Sequence, residues 1–110
     1  MKRIYYAGGS FLTGDSIADA VVAYADALAH NEGSDVVNFP IVHEDGTPGE
    51  VSVLIGPASQ LASSTAIADG RDELLNDILV ADLTRRAQQI GTPRPLMAAP
   101  DEIETTADFD

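Results

Sequence analysis

Cysteine is absent from the 110 residues. Its absence removes disulfide frameworks, thiolate nucleophiles and cysteine-ligated zinc or iron-sulfur sites together, and leaves the redox compartment unread. Basic residues are scarce as well: 6 Lys and Arg stand against 18 Asp and Glu, for a formal net charge of -12. Lys2, Arg3, Arg71, Arg85, Arg86 and Arg94 are scattered along the chain. No basic stripe is therefore available to release counterions from a nucleic-acid backbone or to attract anionic lipid. The acid reads first as a solvated surface that keeps the protein in solution, with salt adaptation or nucleic-acid mimicry as alternatives. Long apolar runs are missing too. "MKRIYYAGGS" has no signal-peptide core after its basic residues, and no stretch approaches the roughly 20 apolar residues of a membrane span. The expectation is a cytoplasmic protein with no nucleic-acid or membrane partner.

The chain that remains suits one small α+β domain over residues 1–91, followed by a flexible acidic tail over 92–110. The tail, "TPRPLMAAPDEIETTADFD", holds three prolines, five acidic residues and no sustained period, a composition that resists packing. "RIYYA" reads as a first strand stopped by Gly8-Gly9. From about Gly14 to His30, Ile17, Val21, Tyr24 and Leu28 recur at helical spacing. Thr13 is the expected N-cap, Leu12 and Ile17 the expected hydrophobic staple, and Gly33 the left-handed residue past the end. "DVVNFPIV" and "EVSVLIG" flank Asp45-Gly46 and read as a hairpin.

Proline cannot donate to a ladder on its amide side, so Pro40 suggests an edge strand, while Val51 to Ile55 suit a central one. The expected strand order is first, third, second. "RDELLNDILVADLTRRAQQIG" puts Leu75, Ile78, Leu79, Leu83 and Ile90 on one face of a second helix. Between them, Gly56 to Gly70 reads as a long loop tied down by Leu61 and Ile67. The architecture expected is a two-layer β-α-β-β-α sandwich, a three-stranded sheet with two helices on one face.

One motif approaches recognisable chemistry. "GSFLTGDS" fits the phosphate-loop pattern G-x-x-x-x-G-K-[ST], except that Asp15 stands where the lysine belongs. Asp15 would repel the phosphates that the lysine attracts, and at the start of a helix it complements the dipole instead. "ILVAD", Ile78 to Asp82, imitates a magnesium-binding strand but falls inside the second helix. Nucleophilic catalysis lacks a constellation. "GPASQ" is missing the second glycine of a nucleophile elbow, so Ser59 is expected to bond its own loop. His30 suits the last helical turn, His43 a solvated hairpin loop, and "HNE" and "HED" supply adjacent ligands without a third group. No catalytic residue, metal or cofactor is assigned.

Strand alternation leaves Tyr5, Val36, Val42 and Leu54 on the back of the sheet, an apolar patch that suits an interface. The favoured reading is a non-enzymatic interaction module that forms a homodimer or binds a protein partner through that face, with cover by the 57–70 loop as the intramolecular alternative. The rival is a small-ligand-binding domain or minor enzyme using the loops Gly8–Ser10 and Gly56–Gln60, with Gly9, Ser10, Ser59 and Gln60 as binding residues. In "YAGGSFLTGD", "IADAVVAYADALA" and "LIGPASQL", which cover roughly a third of the chain, the sequence resembles short acidic proteins of unassigned function from high-GC Gram-positive bacteria. That resemblance implies no activity.

Overall fold

In the computed structural model, which describes residues 1–67 and 70–91, the elements run β1 (Lys2–Tyr6), β2 (Gly9–Thr13), α1 (Asp15–His30), β3 (Asp35–Val42), β4 (Pro48–Ile55), β5 (Leu61–Thr65) and α2 (Asp77–Gly91). The class is α+β, but the sheet has five antiparallel strands, not three, in the order β4-β3-β2-β1-β5. The tail expected over 92–110 lies outside the described residues. Among the described residues no helix is long and apolar enough to cross a membrane.

Both additional strands lie in segments read as loops. β2 is the phosphate-loop lookalike itself. Tyr6 pairs with Gly9 across a two-residue turn in which Ala7 (φ 52°) and Gly8 (φ 82°) are both left-handed, the backbone that a type I′ hairpin needs. β5 is small and polar, "LASST", and is held by pairing with the whole of β1, from Lys2 with Thr65 to Tyr6 with Leu61. Leu61 packs against the core as expected, whereas Ile67 is 94% exposed and ties nothing down.

The expected strand order is also corrected. β4 is an edge strand, and β3, which carries Pro40, lies between β4 and β2. The β2–β3 pairing explains why proline is tolerated there. It is registered on Leu12 with Val42, which sets Pro40 level with Gly14, where the chain leaves the sheet for α1. No β2 carbonyl stands opposite the missing N–H, because the strand has ended at Thr13, and the fully buried Thr13 hydroxyl donates to the Pro40 carbonyl at 2.7 Å.

The sheet is curled. Neighbouring strands are about 4.8 Å apart, so a flat sheet would hold β1 and β4 about 14 Å apart. Instead the Tyr6 hydroxyl of β1 donates to the Leu54 carbonyl of β4. Phe11 of β2 meets Phe39 of β3 edge-on, with ring centroids 6.3 Å apart. Inside the curl a single core cluster joins Ile4, Ile17, Val21, Tyr24, Phe39, Val53, Ile55 and Leu83. Alternation runs as the sequence suggests: Val37, Phe39, Ile41, Val53 and Ile55 are buried, while Val36, Asn38, Ser52 and Leu54 are exposed.

The helices depart from expectation at their ends. Gly14, not Thr13, is the N-cap of α1, with no side-chain cap of its own. Leu12 stands outside the core cluster that holds Ile17, so the staple does not form. At the other end Glu32 (φ 55°) takes the left-handed position expected of Gly33, and the Gly33 amide donates back to the Leu28 carbonyl at 2.9 Å. α2 begins later than its apolar period suggests. The Asn76 side chain accepts the Leu79 amide at 3.1 Å, leaving Leu75 and Ile78 exposed at 66% and 85%. Leu83 is buried, and Leu79 and Ile90 pack at the margin of the core.

Candidate functional site

The four residues expected to bind a ligand lie around one concavity. Gly9 and Ser10 begin β2 beyond the Ala7-Gly8 turn, and Ser59 and Gln60 end the connection from β4 to β5. They come together because β5 pairs with β1, so the β4–β5 connection arrives beside the β1–β2 turn. Parallel strands are not needed for this. All four line an open cavity of about 1110 Å³, together with Tyr5, Tyr6 and Glu44.

Its polar atoms are organised by the curl. Ser59 Oγ accepts the Gly56 amide at 2.9 Å and lies 3.3 Å from the Tyr6 hydroxyl, which itself donates to the Leu54 carbonyl. The expected bonding of Ser59 within its own loop is therefore present, and it is extended by Tyr6. Ser10 Oγ accepts from the Arg3 guanidinium at 3.3 Å. Neither histidine lines the cavity. His30 Nδ1 is 2.9 Å from the Asp26 carbonyl oxygen on an exposed turn of α1, and the His43 ring lies against Gly49. Such a cavity can orient a small molecule by shape and by a few polar contacts.

The phosphate-loop reading fails on the backbone as well as on charge. Phosphate loops present free amides, but Gly9 to Thr13 are paired with β1. The amide at the start of α1 is occupied too: the Glu73 carboxylate accepts the Asp15 N–H at 2.5 Å. The Asp15 carboxylate itself turns to the N-terminal ammonium of Met1, 3.0 Å away. Glu73 also takes that ammonium at 2.7 Å, and these two bonds, the ammonium first, hold its carboxyl below the usual range. "ILVAD" lies within α2, where Asp82 faces Arg85 and Arg86. Among the described residues no three His, Asp or Glu side chains converge on a point that a metal could occupy.

The residues expected at an interface are divided. Tyr5, Val36 and Leu54 are exposed at 46%, 52% and 63%, and Val42 is half-buried. Val36 and Leu54 oppose one another across β3 and β4, but the next outward pair is Asn38 and Ser52, bonded at 2.5 Å, and then Pro40 and Glu50. Along β3 and β4, these pairs separate Val36 and Leu54 from Val42.

A polar cluster without a local sequence signal joins α1, β3 and α2. Tyr24 donates to Asp35 at 2.5 Å, Arg86 donates to the same carboxylate oxygen at 3.1 Å, and the Val36 amide donates to its other oxygen at 2.8 Å. The Tyr24 bond, followed by those of the Val36 amide and Arg86, keeps the Asp35 carboxyl below its ordinary range, while burial above all pushes the Tyr24 phenol up. Each charge in the cluster is answered, which suits a clasp between elements rather than a reactive site. No family model, no curated protein and no solved structure matches the chain.

Proposed function

We propose that the protein is a non-catalytic binding domain whose hairpin-end cavity takes a small ligand. The observation that carries this reading is the meeting of Gly9 and Ser10 with Ser59 and Gln60 around one concavity of about 1110 Å³. Two aromatic side chains and short loops suit apolar contact, while backbone and hydroxyl groups supply orientation. The bonds that fix Tyr6 and Ser59 hold the wall in shape before a ligand arrives, which lowers the ordering cost of binding. The test is amide NMR of the whole chain against a set of small fragments. Shifts should cluster at Gly8, Gly9, Ser10, Ser59 and Gln60, and Ala58→Trp, which fills the cavity from an exposed wall position, should abolish them while leaving the fold intact. Shifts that persist in Ala58→Trp would reject the site.

A second reading, self-association as a homodimer, rests on the exposed pair Val36 and Leu54, the latter on the edge strand β4. Burial of that pair on two copies would contribute about 25 cal/mol for each Å² removed from water. Light scattering should then give twice the chain mass, and Leu54→Glu should give folded monomers. A monomeric wild type at high micromolar concentration removes this reading.

A further inference from the structure

A second concavity, of about 540 Å³, adjoins the first on the outer face of the sheet, with Tyr5 and Glu44 lining both. Its floor is apolar, from Leu12 and Val42, which are register partners across β2 and β3. Two of the six Lys and Arg line it, which is unexpected in a chain of net charge -12. Arg3 and Arg71 line it together with His43, Glu44, Ser64 and Thr65. The fold gathers what the sequence scatters. Arg3 and Ser64 are opposed across β1 and β5, and Arg71 reaches across to donate to the Glu44 carbonyl at 3.3 Å.

Among the described residues, three other basic side chains face carboxylates. Lys2 faces Asp19 at 2.6 Å, Arg85 faces Asp82, and Arg86 faces Asp35 and Asp82 at 3.1 and 3.0 Å. Arg3 is different: among the described residues its guanidinium meets the Ser10 hydroxyl and no carboxylate. A guanidinium presents a planar fork of donors that matches a carboxylate in two bonds. An arginine held beside an apolar floor in so acidic a chain has the chemistry to receive one.

We propose that this outer-face concavity is a binding site for a small organic carboxylate with an apolar body. Arg3 takes the carboxylate, and Leu12 and Val42 support the apolar part. The long-range field of the protein opposes any anion, so selectivity must come from these local contacts. Glu44 works against the ligand, and Glu44→Gln should tighten it.

The probe is benzoate, with benzyl alcohol as its neutral counterpart, titrated into the labelled full chain and followed by amide NMR. Benzoate should produce saturable shifts at Leu12, Val42, Ser64 and Thr65, and should bind about tenfold or more tightly than the alcohol, as expected of charge-assisted bonds. Arg3→Gln should lower benzoate affinity about tenfold and leave benzyl alcohol unchanged. Arg3→Lys should recover only part of the loss, since an ammonium cannot make the two-pronged contact. A dispersed spectrum of each variant establishes that it is folded. Failure of benzoate to saturate below about 10 mM, or equal binding of acid and alcohol, would overturn the proposal. Benzoate shifts confined to Gly9, Ser59 and Gln60 would overturn it too, while leaving the hairpin-end cavity standing as a ligand site.

Discussion

The two helices begin in opposite ways. α2 is capped by its own neighbour, Asn76, whose side chain accepts the Leu79 amide. α1 has Gly14 at its cap position and borrows a carboxylate from Glu73, 58 residues further along the chain. A local cap can form with the helix alone. A distant one forms only when the segment before α2 has returned to the start of α1, so the beginning of α1 is a tertiary contact rather than a local one. The same segment explains the glycine: a Cβ on Gly14 would stand 1.8 Å from the Leu74 carbonyl oxygen.

The largest expected effect therefore comes from Gly14→Ala. Gly14 has φ -67° and ψ 154°, a backbone that alanine adopts freely, so the cost is steric alone. Because the obstructing atom is backbone, the loss should reach the top of the about 1–3 kcal/mol range for overpacking, read as the urea midpoint. A loss no larger than that of Gly9→Ala, an exposed position where a Cβ would meet only an ordinary contact at 3.7 Å, would show that the 71–76 segment does not press on α1.

Acid sharpens the comparison next. The Glu73 and Asp35 carboxyls are both lowered by their partners. Their stabilisation is present above the ordinary unfolded values of about 4 and is lost as pH falls through the lowered folded values. Glu73→Gln and Tyr24→Phe should each flatten the fall in urea midpoint between about pH 5 and 2, and the double variant should flatten it further. An unchanged acid limb in both would separate these bonds from stability.

Asn76→Ala should cost about 0.5–2 kcal/mol without altering the amides at the start of α1, because its cap is local. Smallest, and of opposite sign, is Glu32→Gly. Left-handed backbone costs an ordinary residue about 1–2 kcal/mol, and glycine returns about 0.5–1 kcal/mol of that through its greater unfolded freedom. A net gain of under about 1 kcal/mol in thermal stability is expected, and destabilisation would contradict the assigned helix end.

These contrasts also say what was legible in the sequence. α1 and the β3–β4 hairpin were readable because their signals are internal: apolar spacing at Ile17, Val21, Tyr24 and Leu28, and alternation around Asp45-Gly46. β2 was hidden by its likeness to a phosphate loop, although "RIYY" and "SFLT" around Ala7-Gly8 carry a hairpin pattern. β5 has no alternation to read, since Ala62, Ser63, Ser64 and Thr65 are exposed and the strand exists through its ladder with β1. The apolar period places the start of α2 too early because Leu75 continues it, while Asn76, a good N-cap residue, carries the correct start signal. Gly9, Ser10, Ser59 and Gln60 could be named from their loops. Tyr6, Glu44 and the clasp of Tyr24, Asp35 and Arg86 could not, because each acts through a partner distant in sequence.

The most direct measurement is a crystal structure of the chain soaked with small fragments at high concentration. The binding-domain account predicts ordered density in the hairpin-end concavity, between Ser10 and Gln60 and against Tyr5 or Tyr6, with the Tyr6 and Ser59 bonds unchanged. An empty concavity, with fragments gathered on Val36 and Leu54 instead, would contradict it.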